Sequence, residues 1–432
     1  MNGANLLNRN RATLKLLFVA MLSLAMLIPL VMVHAIIEER QQLQTSAERT
    51  ISERWGGSQI IGGLVNLVKT PVSETSERTF QRHEQWQARV VAELDINAQM
   101  TTELRYLGIY EVPVYTTRVQ LSGKLAADML EKREGDDDIV FWLPLSDVRG
   151  VRKISPLSIG SLKVEARPLS ITADVNSGLQ FNVPSSDFSK LTENYSIELE
   201  LSGSQSLQFL PLADSSHVTL ESDWPDPEFI GQFLPVDRNI EDKGVQASWQ
   251  MLGLNRPFGD QWSLAEMPMR FLNTAGFGIR LDTPVDRFQR NERSVKYGFL
   301  FIALTFFTLF MFEVMTGRPL HPVPYVLTGA AMAVFYLVLL ALSEYLAFAA
   351  SFFIAASLLI LIVTPYTSAV LGARRRGYLV GFMMSLTYAL LYVLVSLQHL
   401  SLLLGSMALL SAIASLMYMT RNVDWYNYGN ND

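Results

Sequence analysis

The chain of 432 residues contains no cysteine. That excludes disulfides, thiolate nucleophiles and every zinc site built on sulfur, and it leaves the compartment open. Histidine is scarce as well. The five, His34, His83, His217, His321 and His399, show no ligand spacing. His83-Glu84 begins like a zinc-protease motif, but position 87 is Gln, so the stretch reads as solvated. Gly56–Gly63 (GGSQIIGG) is not followed by Gly-Lys-Ser/Thr and is no phosphate loop. Asp136-Asp137-Asp138 lacks the oxygen-ligand spacing of a calcium loop and reads as a turn. There is no Gly-x-Ser-x-Gly elbow, and no pair of carboxylates can be matched as a glycosidase dyad from sequence. No catalytic, cofactor or metal residue is assigned.

Charge is the next shortage. Charged residues make up 18% of the chain against 49% hydrophobic, and the last third is almost bare of them. Five apolar runs lie there: 297–314, 323–342, 345–364, 379–397 and 400–419. A helix of about 20 apolar residues crosses a bilayer core, and in lipid only an internally paired backbone survives. Each run is therefore expected to be a membrane helix. Leu14–Ile37 is a sixth. A cleaved signal peptide is the alternative, but the run is long and no small-residue cleavage pattern precedes Glu38-Glu39-Arg40. Pro29 is expected to kink it.

Orientation follows from Lys and Arg. Arg9, Arg11 and Lys15, then Arg318, then Arg374–Arg376, then Arg421 fall on one side of a six-helix path, while Ser343-Glu344 and Gln398-His399 carry no Lys or Arg. Both termini, 1–13 and 420–432, are expected in the cytoplasm, and 38–296 in the periplasm of a bacterial inner membrane. Of 35 basic and 41 acidic residues, 38–296 holds 27 and 37, an acidic balance that gives no support for nucleic-acid binding.

The long middle reads as β. Glu38–Glu53 extends the first helix, Gly56–Gly63 breaks it, Leu64–Val72 is a first strand, and Glu74–Gln87 is a polar connection. Period-two alternation follows: Ala92 to Met100, Val119 to Leu125, Leu179 to Val183, Ile197 to Leu201, Val218-Leu220, Val245 to Trp249 and Phe277 to Leu281. A sandwich or barrel is expected. Arg290–Lys296 reads as a charged hinge back to the membrane. The fold class is thus α-helical membrane protein, one N-terminal helix (14–37) plus a five-helix bundle (297–419), with a large inserted all-β, sandwich-like periplasmic domain.

Small residues at four-residue spacing, Ala347, Ser351, Ala355 and then Ala408, Ala412, permit close helix packing. Glu313 is the one ionisable residue well inside a run, and intramembrane acids are functional candidates. Its carboxylate is expected to face the bundle with Arg318, His321, Tyr325 or Thr305 as donor, or else to snorkel to the interface. No second buried charge and no paired broken helices are seen, which counts against a coupled transporter.

Several strings resemble the CreD family of bacterial inner-membrane proteins: Lys296–Thr305 (KYGFLFIALT), Phe312-Glu313, Leu320-His321-Pro322, Phe335–Glu344 (FYLVLLALSE) and Thr420–Tyr426 (TRNVDWY). Gly108-Ile109-Tyr110, Asp147–Gly150 (DVRG), Trp224-Pro225, Phe233-Leu234-Pro235 and Trp249 extend the likeness through the middle. Pro324 and Tyr345 depart from it, standing where the family tends to have Gln and His. The resemblance implies a role in envelope integrity, envelope stress, colicin tolerance and β-lactam response, with no catalytic residue. Glu313, His321, Glu344 and Trp224 are the candidate functional residues. The expected partners are the lipid bilayer and envelope proteins, peptidoglycan or glycans, with no cofactor. A transporter or lipid- or glycan-handling protein, or a periplasmic carbohydrate-active enzyme, is the alternative function.

Overall fold

In a computed structural model of the chain, the described residues are 11–76, 79–130, 138–169, 177–265, 269–281, 287–316, 320–397 and 401–421. They fall into two compact units, Met1–Gln44 with Val285–Asp432, and Thr45–Pro284.

The first unit is helical, as its apolar runs require. Helix α1 (Arg11–Ala25) and helix α2 (Leu27–Trp55) together take up the span expected over 14–37, with the kink expected from Pro29. The break falls at Met26, because Pro29 has no N–H to offer the Ala25 carbonyl one turn back. Helix α2 supplies residues to both units. A four-residue helix, α3 (Met269–Leu272), belongs to the β unit. Then come α4 (Arg287–Thr316), α5 (Pro322–Ser343), α6 (Phe348–Val370), α7 (Arg374–Ser396) and α8 (Ser401–Thr420). Among the described residues five helical stretches are long and apolar enough to cross a membrane, from Leu17–Trp55 to Arg374–Ser396.

Three boundaries differ from the sequence reading. Arg290–Lys296 is no hinge but part of α4, since the stretch has no breaker and is tied internally. Ser294 donates to the Arg290 carbonyl at 2.8 Å, and Lys296 pairs with Glu292 at 2.7 Å. Arg374–Arg376 form the first turn of α7 rather than a loop. Helix α6 begins at Phe348 instead of Tyr345 and runs through Pro365 to Val370. Small residues do set the packing. Ser351 and Ala355 are buried, whereas Ala347 is exposed at the helix N-cap, and a Cβ on Gly377 or Gly381 would collide with Ser368 Oγ or Thr364 Oγ1. Helices α6 and α7 therefore approach along a Gly-x-x-x-Gly face that the sequence reading passed over. The side chains of Ala408 and Ala412 lie outside the described residues.

The second unit is β. Its strands are β1 (Gln59–Ile61), β2 (Val65–Ser76), β3 (Thr79–Leu107), β4 (Tyr110–Lys124), β5 (Ile139–Pro144), β6 (Val151–Ile154), β7 (Leu157–Ile159), β8 (Leu162–Val164) and β9 (Arg167–Pro168). There follow β10 (Gly178–Val183), β11 (Asn194–Ser204), β12 (Ser206–Phe209), β13 (Ala213–Ser222), β14 (Pro227–Gly231), β15 (Asp237–Glu241), β16 (Gly244–Leu252), β17 (Gln261–Ser263) and β18 (Phe277–Leu281). Glu74–Gln87 is thus not a connection. Strands β2 and β3 pair from Val65↔Val90 to Ser76↔Thr79, because a backbone ladder needs no apolar alternation. Strand β1 likewise sits inside the glycine-rich break.

Strand β3 is the spine. One half pairs with β2, and the other takes β4 antiparallel on one edge and β13 parallel on the other. Strands β16 and β15 continue outward from β13. Among the described residues this makes one branched sheet of fourteen strands and a second of four, in order β1-β12-β18-β14. The expected large β domain is present, but its two layers are unequal. Leu94, Ile96, Ala98 and Met100 are buried while Asp95, Asn97 and Gln99 are exposed, so one face of the large sheet packs and the other meets solvent. Phe277 faces Phe209 within the small sheet and also meets Phe233 and, on the large sheet, Trp249, with ring centroids 6.2, 5.9 and 5.6 Å apart.

Candidate functional site

In the helical unit three elements bring polar groups together. Helix α4 carries Glu313 a turn from its end. His321 caps α5, its Nδ1 accepting from the Val323 N–H at 3.4 Å, and the prolines that follow suit a first turn. That start places Tyr325 beside Glu313. Glu313 is 1% exposed and Tyr325 is fully buried. The Tyr325 hydroxyl donates to Glu313 Oε2 at 3.0 Å. Lys15, from α1, donates to Glu313 Oε1 and, at 2.8 Å, to the Leu320 carbonyl. Phe306 packs edge-on against the Tyr325 ring.

The carboxylate therefore faces inward. Of the expected donors, Tyr325 is the one found among the described residues. Thr305 donates to the Phe301 carbonyl, His321 is exposed at its cap, and Arg318 lies outside the described residues. A second charge that sequence reading did not place here, Lys15, reaches the carboxylate from a half-buried position, its side chain 23% exposed. It sits 298 residues away in sequence, in what read as a cytoplasmic flank. Both carboxylate oxygens are occupied, one by Lys15 and the other by Tyr325. The arrangement can clamp α1 to α4 and α5.

Glu344 closes the other end of α5, where Arg40 of α2 pairs with it at 3.3 Å. Beside it Asn291 of α4 donates to Ser343 Oγ at 2.7 Å, both buried. Helix α5 thus carries one polar tie near each end, each reaching an N-terminal helix.

Trp224 lies in the β unit. It packs against the main core, and Ser222 Oγ accepts from its backbone N–H at 3.1 Å. More informative is the junction that sequence reading missed, where α2 gives way to β1. Trp55 is stacked between Arg105 and Arg152, guanidinium carbons 4.5 and 4.3 Å from the ring centre. Its indole N–H donates to the Tyr115 carbonyl at 3.2 Å, and its own carbonyl accepts from Ser202 Oγ at 2.6 Å. Asp147, of the DVRG string, accepts from the Gly57 and Arg149 N–H groups, each at 3.1 Å, and from the Arg149 guanidinium at 2.9 Å. Fully buried Gln59 donates to the Asp147 and Ser202 carbonyls at 3.0 and 3.1 Å. Gly150 has no room for a side chain, since a Cβ would collide with both Gln59 Nε2 and the Ser202 carbonyl oxygen.

Hydrogen bonding from Arg149 holds the Asp147 carboxyl below the usual carboxylate range. A depressed acid stabilises the fold above its unfolded value, near ~3.9, and that contribution is lost as pH falls through the folded value. Thermal unfolding of the β unit at about pH 6 and about pH 3 should thus show a smaller acid-induced loss in Asp147→Asn than in wild type. An equal loss in both would remove Asp147 from the acid response.

Among the described residues no three His, Asp or Glu side chains are grouped to hold a metal. Asp136 and Asp137 lie outside those residues. Asp138 accepts from the Ser185 N–H at 3.3 Å.

Comparison with known proteins is consistent over the whole length. The family profile described as "Inner membrane protein CreD" matches residues 11–426. "Inner membrane protein CreD" of Escherichia coli (strain K12) is 30% identical over 413 residues, covering 94% of this chain and 92% of that one. Among solved structures, an M1 zinc metallopeptidase from Deinococcus radiodurans is 11% identical, with 44% of this chain and 42% of that chain covered and a TM-score of 0.22. A substrate-bound mutant of that metallopeptidase gives 10% identity and a TM-score of 0.21 over the same shares. Scores of that size carry no argument about this chain.

Proposed function

The chain belongs to the CreD family of inner membrane proteins, and from that premise we propose that it maintains the cell envelope through a translocated β unit, without catalysing a reaction. The helical unit crosses the membrane six times, one N-terminal passage and a five-helix bundle, with both termini in the cytoplasm and Thr45–Pro284 in the periplasm. The single observation that carries this reading is the position of the basic residues. Lys15 and Arg374–Arg376 occupy the starts of α1 and α7, which share a side in that path, whereas the α5–α6 turn holds only Glu344. The polar ties at Glu313 and Glu344 support a fixed bundle, and the Trp55–Asp147 junction supports a β unit held to its helix. The sites offer anchorage rather than bond chemistry.

In a strain lacking the chain, survival under envelope stress should return with the wild-type chain and fail with Trp55→Ala, which dissolves the junction. Conservative carboxylate changes on the β unit, such as Asp95→Asn or Asp226→Asn, should rescue fully. Loss of rescue by one such change at normal protein level would favour the enzyme reading instead.

A further inference from the structure

The solvent face of the large sheet carries amides and hydroxyls in register. Across β3, β13, β16 and β15 the strand register lines up Asn97, Thr219, Ser248 and Asp237 in one row, and Gln99, Glu221, Gln246 and Asn239 in the next. These two rows floor a depression of about 530 Å³, which Arg238 also lines. That volume lies in the range of small-ligand sites, roughly 300–1,000 Å³, and the depression is open to solvent rather than enclosed. The apolar residues along the same strands, Leu220 and Ala247, turn into the core.

We propose that this depression is a binding site for a neutral or amino-bearing glycan. The groups lining it select for that class. Amides and hydroxyls each donate and accept, and they recur about every 5 Å across the strands and every ~7 Å along them. A polyhydroxyl chain presents the same mixed donors and acceptors. An anionic polymer meets Glu221 and Asp237 against the single guanidinium of Arg238, which leans on the Phe229 ring at 5.9 Å. Leu220 and Ala247 also line it, but their side chains are buried, so a lipid tail or an apolar peptide side chain meets no protruding apolar side chain there. Among the described residues nothing hydrogen-bonds the side chains of Asn97, Gln99 or Ser248, so their donors and acceptors are open to a ligand. Gln246 leans on Glu221 at 3.4 Å, and Asn239 donates to Glu241 at 2.9 Å, which orients both amides. The site gives the envelope role proposed above a ligand class and rests on that reading for access to glycan, although its chemistry does not depend on the side of the membrane.

The test is calorimetric titration of the full-length protein in a detergent without a sugar headgroup. The probes are chitotetraose, maltotetraose and a neutral tetrapeptide. Saturable binding of either glycan is expected, weakened about tenfold in Gln99→Ala and in Asn239→Ala, the loss of one well-made hydrogen bond. Both residues are exposed, so the melting temperature should not move. Preference for chitotetraose would assign the amides to acetamido groups, and equal binding would assign them to ring hydroxyls. No binding of either glycan at about 10 mM overturns the proposal. So does binding that both variants leave unchanged, or binding of the peptide alone. None of these failures touches the topology, which the titration does not read.

Discussion

Replacing Glu313 with Leu should destabilise the helical unit by roughly 3 kcal/mol, the lower end of what breaking a buried ion pair costs. Lys15 would keep its charge beside a fully apolar neighbour, and the buried Tyr325 hydroxyl would lose its acceptor. The lower end applies because Lys15 is 23% exposed and keeps the Leu320 carbonyl. Glu313→Gln should fall between, since its amide oxygen still accepts from one donor. The double variant Lys15→Met with Glu313→Leu should recover the part of the loss that comes from the unpaired charge, while the Tyr325 hydroxyl still lacks the Glu313 acceptor. Thermal unfolding of purified protein, with cellular protein level beside it, checks all three. A Glu313→Leu protein as stable as wild type would mean the carboxylate is merely interfacial. A double variant no better than the worse single one would deny the pair.

Phe277→Ala should cost the β unit more, about 4 kcal/mol. The ring is fully buried, faces Phe209 within the small sheet, and meets Phe233 and, on the large sheet, Trp249. Its loss opens a cavity where backbone from both layers limits collapse. Denaturation of the full-length protein followed by near-ultraviolet circular dichroism, sensitive to Trp249, should show the β transition moved to lower denaturant. A shift below about 1 kcal/mol, the size of a typical surface or mild change, would mean the two layers do not share one core.

How much of this was legible in sequence depends on what each feature is made of. The burial of Leu94, Ile96, Ala98 and Met100 could be read because one buried face imposes period two. The pairing of Thr79–Gln87 with β2 could not, because backbone hydrogen bonds leave no side-chain pattern. The helices were legible as apolar runs, but their ends were not. Charged Arg290–Lys296 reads as loop although an isolated polar turn continues α4 at little cost, and Arg374–Arg376 do the same for α7. Glu313 stood out as a lone acid, and Tyr325 was within reach as a nearby donor. Lys15 was not, since nothing in a sequence ties residues 298 apart. The DVRG string was visible only as a resemblance. Its reason, a carboxylate gathering N–H groups beside a glycine with no space for Cβ, exists only once β1 and β11 lie together.

The topology is the claim on which the rest depends, and the absence of cysteine makes it directly testable. Asp242→Cys, in the exposed β15–β16 turn, and Arg375→Cys, in the first turn of α7, each introduce the chain's sole thiol. Intact cells are treated with a membrane-impermeant maleimide before and after permeabilisation. The account predicts that Asp242→Cys is labelled in intact cells and Arg375→Cys only after permeabilisation. Labelling of both, or of neither, in intact cells would contradict it.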